Sequence, residues 1–205
     1  RVEEPPQIAA RRLTMGSKQV GQAGWSRRYS APSYLYGETK HAFALQVLNE
    51  IIGGGTTSRL YQSLVVDQSL AVAAGSWYRA ESIGPSVFGF YASPQEGVSM
   101  ERLEKGIDLE IRQVLKDGVT EEEVRAAITR LRRTAIFAKD SVTAPARIIG
   151  SALASGRSIQ DIEDWPNKIS TVSKGDVIAA AEWVFKMTHS VTATLLPTSV
   201  TQKKP

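Results

Sequence analysis

Histidine is the side chain most often used for acid–base catalysis and for zinc binding, and it occurs only twice, at His41 and His189. Neither has a second histidine at a spacing that would place two ligands on one helix face. Neither His-Glu-x-x-His nor its inverse His-x-x-Glu-His occurs in the sequence. The absence of cysteine excludes thiolate metal sites and disulfides. We therefore predict no metal site and no catalytic residue in this chain, with a structural or solvated role for each histidine.

Other catalytic patterns are also missing. The three glycines of Gly53-Gly54-Gly55 precede a predicted helix, but no Gly-Lys-Ser/Thr follows them as phosphate binding would require. No Gly-x-Ser-x-Gly turn is present to expose a nucleophilic serine. The carboxylates of Glu121, Glu122 and Glu123 lie at a predicted helix start, where the helix dipole accounts for them without catalysis.

Composition excludes several broad classes of protein. The chain has 205 residues, of which 42% are hydrophobic and 22% charged, as is ordinary for a globular domain. No apolar run approaches the roughly 20 residues that span a bilayer, so we predict no membrane span. The net charge is +4, but the densest basic cluster is preceded on its helix by three glutamates. A solvated helix face explains this cluster better than a phosphate-binding surface, and we predict no nucleic-acid partner; its members are Arg125, Arg130, Arg132 and Arg133.

The first half of the chain predicts strands around one buried helix. Residues 41–52 are dense in apolar side chains, and the glycines that follow can end a helix through left-handed backbone. The hydroxyls of Thr56, Thr57 and Ser58 are expected to cap the next helix. Alternating apolar residues predict strands at residues 11–15, 24–31, 70–78, 86–92 and, near the end of the chain, 191–196.

The second half predicts helices that begin at recognisable caps. Ser99 is a candidate N-cap, and the pairs Thr120 with Glu123 and Ser173 with Asp176 have capping-box spacing. We expect Pro145 to mark a helix boundary, and Pro166 to stop a short helix over residues 161–165.

These elements predict an α+β fold, with a mixed, mainly antiparallel sheet and helices packed on one face. We expect a linker at residues 1–9, because adjacent prolines favour extended backbone, then one domain at 10–197 and a disordered tail at 198–205. The chain begins at Arg1 without a secretory signal, and we expect a processed product or a piece of a longer protein.

The stretch Gly53-Gly54-Gly55-Thr56-Thr57-Ser58-Arg59-Leu60-Tyr61-Gln62 resembles the second-half domain of pitrilysin-type zinc peptidases. That family includes mitochondrial processing peptidase and insulin-degrading enzyme. Supporting matches are Asp117-Gly118-Val119-Thr120-Glu121-Glu122-Glu123 and Trp165-Pro166 with Ile169, Val172 and Asp176-Val177. The resemblance covers about residues 5–197 and implies the processing-peptidase/LuxS-like metallohydrolase fold.

The resemblance also implies how the work is divided. In the family the first-half domain carries the zinc site, and the second half has a similar fold without zinc ligands and helps to enclose a substrate chamber. Zinc is therefore expected in a first-half domain outside this sequence, and this chain alone is expected to be inactive. Bacterial members often carry secretory signals, so the resemblance implies a periplasmic location.

One departure from the family concerns its Arg/Tyr pair, which helps to hold substrate and polarise the scissile carbonyl. Alignment of the Leu60–Leu64 segment places Val65 at the Arg position and Val72 at the Tyr position, and neither can donate a hydrogen bond. Some bacterial members place zinc in one chain and the Arg/Tyr pair in another, so the two valines imply a homologous second subunit. By position Arg59 and Tyr61 do not replace the pair; we expect them to serve helix packing and surface charge.

The resemblance implies that this chain is the chamber-forming, peptide-binding half of a zinc endopeptidase. We expect peptide or unfolded polypeptide to bind by strand addition at the edges of the strands at 70–78 and 86–92. The candidate residues of the chamber are Val65, Val72, Trp77, Tyr78 and Phe90, although a role in the core is the leading interpretation for the three aromatics. The alternatives are a non-catalytic structural subunit, like the inactive family members of respiratory complexes, and a free-standing peptide-binding domain.

Overall fold

The structure is a computed structural model that describes residues 7–198. Five strands and seven α-helices follow one another along the chain, with a π-helix, Tyr61–Asp67, before the third strand. The strands are β1 (Arg11–Ser17), β2 (Gly24–Ala31), β3 (Ala71–Tyr78), β4 (Ser86–Pro94) and β5 (Ser190–Pro197). The helices are α1 (Ala42–Gly53), α2 (Met100–Asp117), α3 (Glu121–Lys139), α4 (Ala144–Ala154), α5 (Ile159–Glu163), α6 (Trp165–Ser170) and α7 (Lys174–Val184).

The five strands form one sheet in the order β1-β5-β2-β4-β3. Every neighbouring pair is antiparallel except β1 and β5, which run parallel. The predicted mixed, mainly antiparallel sheet is therefore confirmed. The prediction that both strands of the β3–β4 pair offer an edge is wrong for β4, because β4 lies between β2 and β3.

The two faces of the sheet differ in what covers them. On the helix side, Trp25, Arg27, Tyr29 and Ala31 of β2 are all buried, while Arg28 and Ser30 on the opposite side are exposed. The core lies between this covered face and the helices, with α1 against β3 and α7 against β2. Large and fully buried side chains of the core include Tyr29, Leu45, Leu48, Phe88, Phe90 and Ile107. The opposite face has no helix packed on it among residues 7–198, and it is called the open face below.

The predicted helix caps are confirmed by the hydrogen bonds at each start. The Ser99 hydroxyl accepts from the Arg102 N–H at 3.2 Å. Capping boxes form between Thr120 and Glu123 and between Ser173 and Asp176, where each carboxylate accepts from the capping residue's own N–H. Such a box satisfies two N–H groups that a helix start leaves free. A third box, Ser158 with Asp161, starts α5 and was missed in the sequence.

Two local predictions are wrong. The hydroxyl of Ser58 does not cap the π-helix but donates to the Gly55 carbonyl at 2.6 Å, closing the glycine turn on itself. Pro166 does not stop a helix at 161–165: α5 ends at Glu163, and Pro166 lies in the first turn of α6. Proline suits a first turn because its missing N–H would have no partner there.

The predicted linker and tail fall largely outside the described residues, which include only residues 7–9 of the first and Thr198 of the second. Within the described range, no helix is both long and apolar enough to cross a membrane.

Candidate functional site

Arg59 connects two of the segments that resemble the peptidase family, the glycine stretch and the segment Asp117–Glu123. Its guanidinium donates to both carboxylate oxygens of Glu123, at 2.6 and 2.8 Å, and to the Gly118 carbonyl at 3.2 Å. A two-pronged pair of this kind fixes geometry as well as charge. Since Glu123 also closes the capping box of α3, one side chain joins the glycine turn to the α2–α3 junction. Arg59 therefore has the packing role expected from the sequence.

The environment of Glu123 strongly favours its charged form. Burial alone would raise its pKa, but hydrogen bonds from Arg59 and from the Thr120 backbone and hydroxyl outweigh burial and lower the pKa to about 2. The carboxylate is thus ionised at any physiological pH and serves as a fixed structural anion.

Gly53 is required because α1 ends against β3. A methyl group at Gly53 would overlap with the backbone of Ser76 and Gly75. The Ser76 hydroxyl donates across this contact to the Asn49 side-chain oxygen at 2.9 Å. Gly55 has a φ of +136°, a backbone conformation that other residues rarely adopt. The glycine run therefore serves close packing and a turn rather than ligand binding.

Val65 and Val72 lie on either side of the junction between the π-helix and β3. Val65 is half-buried against the core, and Val72, at the start of β3, is 46% exposed. The Leu70 N–H donates to the Leu64 carbonyl at 2.8 Å and ties the π-helix to the strand. Two aliphatic side chains at this junction give it no donor for an oxyanion or a substrate carbonyl.

A polar network that the sequence analysis missed lies behind this junction. The Ser63 hydroxyl donates to Glu110 Oε1 at 2.6 Å and accepts from the Gln68 amide at 2.7 Å. Glu110 is buried on α2. The π-helix is thus held to α2 by a charge-assisted hydrogen bond.

On the open face, two aromatic rings lie flat over glycines of neighbouring strands. Trp77 of β3 is opposite Gly89 of β4, and Gly75 is opposite Tyr91. A methyl group at Gly89 would overlap with the Trp77 ring, and one at Gly75 would lie within 3 Å of the Tyr91 ring. The ring centroids of Trp77 and Tyr91 are 6.1 Å apart. Tyr91 is 46% exposed and Trp77 is half-buried, so together they form an aromatic platform that faces solvent.

The sequence analysis named Trp77 but missed Tyr91. The available signal is the repeated pattern Gly-x-aromatic in two predicted antiparallel neighbours, Gly75-x-Trp77 and Gly89-x-Tyr91. Glycine in a strand commonly marks a place where another group approaches the backbone closely.

Arg28 of β2 extends the platform. Its guanidinium lies 5.8 Å from the Trp77 ring centroid, within the range of a cation–π interaction. A cavity of about 560 Å³ opens beside it, lined also by Arg79, Pro85 and Val87.

Two of the predicted chamber residues lie on the other side of the sheet. Phe90 is fully buried and packs against Phe88 and Phe185, with centroid distances of 5.4 and 5.5 Å. Tyr78 is stacked on Phe88 and donates its hydroxyl to the Pro32 carbonyl at 2.7 Å. Successive side chains of a strand point to opposite faces of the sheet. Because Trp77 and Tyr91 lie on the open face, their neighbours Tyr78 and Phe90 point toward the helices. We therefore exclude both residues from the candidate surface and assign them to the core.

A buried ion cluster on the helix side was also missed by the sequence analysis. Arg27 is 1% exposed, and its guanidinium donates to Glu104 at 2.6 Å, to Thr192 at 2.9 Å and to Asp108. Arg12 pairs with the same Glu104. A hydrogen bond from Arg12, aided by the charge of Arg27, lowers the pKa of Glu104 from its ordinary value. These pairs fasten β1 and β2 to α2, which is a structural role.

The residues present do not suit zinc. Across residues 7–198, no three His, Asp or Glu side chains come together as a metal site would need. The His41 ring packs against Trp183 with centroids 5.8 Å apart, and burial lowers its pKa. His189 lies in a short 3₁₀ turn, Met187–His189, before β5.

A profile of the family described as the peptidase M16 inactive domain matches residues 3–131. An uncharacterised zinc protease of Rickettsia felis is 31% identical over 150 residues, which are 73% of this chain and 36% of that protein. The crystal structure of a protease from Helicobacter pylori has a TM-score of 0.87 at 25% identity, over 96% of this chain and 46% of that one.

The inactive peptidase domain of a protein described as a zinc protease from Bordetella parapertussis has a TM-score of 0.77 at 16% identity, over 88% of this chain and 96% of that one. The chain therefore spans less than half of the Rickettsia and Helicobacter proteins. In contrast, the Bordetella structure contains little beyond the matched domain. The chain belongs to the peptidase M16 inactive-domain family.

Proposed function

We propose that this domain is the non-catalytic half of a zinc endopeptidase and holds peptide or unfolded polypeptide against its open face. The observation that carries the proposal is the aromatic platform of Trp77 and Tyr91, displayed on a sheet face that none of the seven helices covers. Exposed aromatic rings beside a cavity are typical of surfaces that bind other chains. Because two glycines are needed to lay these rings flat, the arrangement is specific rather than incidental.

Strand addition along β3 is the binding mode that fits this surface. β3 is at the edge of the sheet and pairs only with β4 among the described strands. An edge strand presents N–H and C=O groups that an extended peptide can pair with. Side chains of an added strand alternate between faces, so every second one would lie on the open face beside Trp77.

The remaining parts of the proposed enzyme lie outside this chain. We propose that the zinc ion lies in a first-half domain of the same protein, since residues 7–198 bring no group of metal ligands together. Val65 and Val72 leave the position of the Arg/Tyr pair without a donor, which supports a homologous second subunit that supplies one. A periplasmic location is part of the proposal, and fractionation of the source cells tests it.

Binding of a fluorescently labelled unfolded polypeptide to this domain, followed by anisotropy, tests the proposal. We expect the double variant Trp77→Ala/Tyr91→Ala to bind about 10-fold more weakly, because two aromatic contacts of about 0.5–1.5 kcal/mol are lost. The double variant Trp77→Phe/Tyr91→Phe keeps both rings and should bind nearly as well as the unchanged domain.

Tyr36→Ala is the matched control, because Tyr36 is 43% exposed but lies in the loop between β2 and α1. Circular dichroism establishes that each variant is folded. Equal affinity of the alanine double variant and the Tyr36 variant would contradict the proposal.

The second candidate function is a structural subunit without proteolysis. The aliphatic pair Val65 and Val72 favours it, because a scaffold has no use for an oxyanion donor. Under this alternative the full-length protein with its partner cleaves nothing, and the open face is covered by a permanent protein contact.

A further inference from the structure

The cavity on the open face combines two cations with an aromatic wall. Arg28 enters it from β2, Arg79 from the end of β3, and the Trp77 ring lies between those strands over Gly89. The rest of the lining comes from the β3–β4 turn and the start of β4, including Ser82, Pro85 and Val87. Among the described residues none of its lining is a carboxylate.

The charge of these arginines is not neutralised within the described part of the domain. Arg12 and Arg27 are both paired to acids of α2, but no ion pair is formed by Arg28 or Arg79 within residues 7–198. The five strands contain four arginines and no aspartate or glutamate. The open face is therefore cationic at this end.

Glu81 is the acid nearest in sequence to Arg79. It lies in the β3–β4 turn but does not line the cavity. It is exposed and forms no ion pair with Arg28 or Arg79 within residues 7–198.

We propose that the Arg28–Trp77–Arg79 cavity binds a carboxylate of the peptide held on the open face, so that acidic peptides are preferred. This inference rests on the proposed function and adds the chemical class of the substrate. A guanidinium recognises a carboxylate through paired N–H donors, and the apolar stem of the same side chain can lie on the Trp77 ring. The carboxylate comes either from an Asp or Glu side chain or from the C-terminus of the peptide, since both present the same two oxygens.

Four labelled peptides of one length distinguish these two sources. Two contain Glu residues and two contain Gln at the same positions, and one peptide of each kind has a free C-terminus while the other has an amidated one. Binding to the domain is measured by anisotropy at low and at moderate salt. We expect either the Glu side chains or the free C-terminus to improve affinity about 10-fold, which is the gain expected from two partly exposed ion pairs. This gain should shrink at the higher salt concentration, because salt screens the ion pairs. An effect of Glu with either terminus identifies the side chain, and an effect of the free terminus alone identifies the C-terminus.

The variant Arg28→Gln/Arg79→Gln removes both charges at similar length and should abolish the preference, so that peptides with and without a carboxylate bind equally. The control Arg125→Gln/Arg133→Gln changes two exposed arginines of α3 and should leave the preference intact. The variant Gly89→Ala displaces the Trp77 ring and should weaken binding of all four peptides.

Equal affinity of the unchanged domain for all four peptides would overturn this inference and leave the proposed function standing. Loss of the preference in the α3 control as strongly as in the cavity variant would also overturn it, because net charge would then explain the effect. If none of the peptides binds, both the inference and the proposed function fail.

Discussion

At the scale of single residues, the family signature is explained by packing. Arg59 joins the glycine turn to Glu123 and Gly118, and Gly53 lets α1 touch the backbone of β3. Neither arrangement needs a ligand. The residues that can contact a ligand, Arg28, Trp77 and Tyr91, lie outside the signature on the open face.

The first prediction concerns the pH dependence of stability. The pKa of Glu123 is about 2 in the folded domain against an ordinary value of 4.5, so its ion pair stabilises the fold fully above pH 4.5. This contribution is lost as the pH falls from 4.5 towards 2. We expect Glu123→Gln to lower the free energy of unfolding at pH 7 by about 1–2 kcal/mol, a range that allows for solvent screening of the pair.

Urea denaturation at pH 7 and at pH 2.5 measures this difference. The gap between the unchanged domain and the variant should shrink at the lower pH. Glu122→Gln is the control, because Glu122 is exposed in the same helical turn and should show a small difference at both pH values. A gap for Glu123→Gln that is the same at both pH values would contradict the assigned ion pair.

The second prediction concerns the contact between α1 and β3. Gly53→Ala introduces a methyl group where the Ser76 backbone already lies, and backbone cannot move aside as a side chain can. We expect a loss of about 3 kcal/mol in the free energy of unfolding. Gly150→Ala in α4 meets no atom within 4 Å and should instead stabilise the domain by about 0.5–1 kcal/mol. Thermal denaturation of both variants measures the two changes in stability. Equal changes would show that helix propensity, and not the contact with Ser76, determines the effect of Gly53→Ala.

At the scale of elements, the π-helix and β3 meet at a strained link. Ser69, between them, has a φ of +49°, and it is the only residue other than glycine with a positive φ among residues 7–198. Left-handed backbone costs an L-residue about 1–2 kcal/mol, and glycine avoids that cost. The link determines where Val65 and Val72 stand relative to each other, so its conformation sets the geometry of the junction.

We accordingly expect Ser69→Gly to stabilise the domain by about 0.5–1 kcal/mol, after the larger unfolded-state entropy of glycine is deducted. Gln68→Gly is the matched control, because Gln68 has a φ of −98° and gains nothing from glycine. It should destabilise the domain by at least that amount, because the hydrogen bond from the Gln68 amide to Ser63 is lost as well. Chemical denaturation of the two variants provides the test, and destabilisation by Ser69→Gly would refute the strain.

Local signals predicted most elements, and long-range contacts account for the failures. The strand at 24–31 and the capping boxes were found because alternation and cap spacing act over a few residues. The strand order β1-β5-β2-β4-β3 was not predicted, because it depends on pairing between distant parts of the chain. The burial of Arg27 was not predicted either, because its acidic partners are 77 and 81 residues away in sequence. Trp77 and Tyr78 are adjacent in one strand and so lie on opposite faces, yet the sequence analysis named both as chamber candidates, because alternation does not show which face the helices cover.

At the scale of the whole molecule, the sheet separates the core from the candidate binding surface. Its helix side contains the core and the ion cluster that binds β1 and β2 to α2. Its open side carries the aromatic platform, the cationic cavity and the free edge of β3. This separation suits the proposed role as one wall of a chamber, because changes on the open side can alter binding without disturbing the core.

The most direct test of this account is to assay peptide cleavage and bound zinc for this domain alone and for the full-length protein with the proposed partner subunit. We predict that the domain alone neither cleaves peptide nor retains stoichiometric zinc, whereas the partnered full-length protein does both. In that protein, Trp77→Ala/Tyr91→Ala should raise KM several-fold with little change in kcat, because uniform binding is lost. Zinc-dependent cleavage by the domain alone, or an unchanged KM in the double variant, would contradict the account.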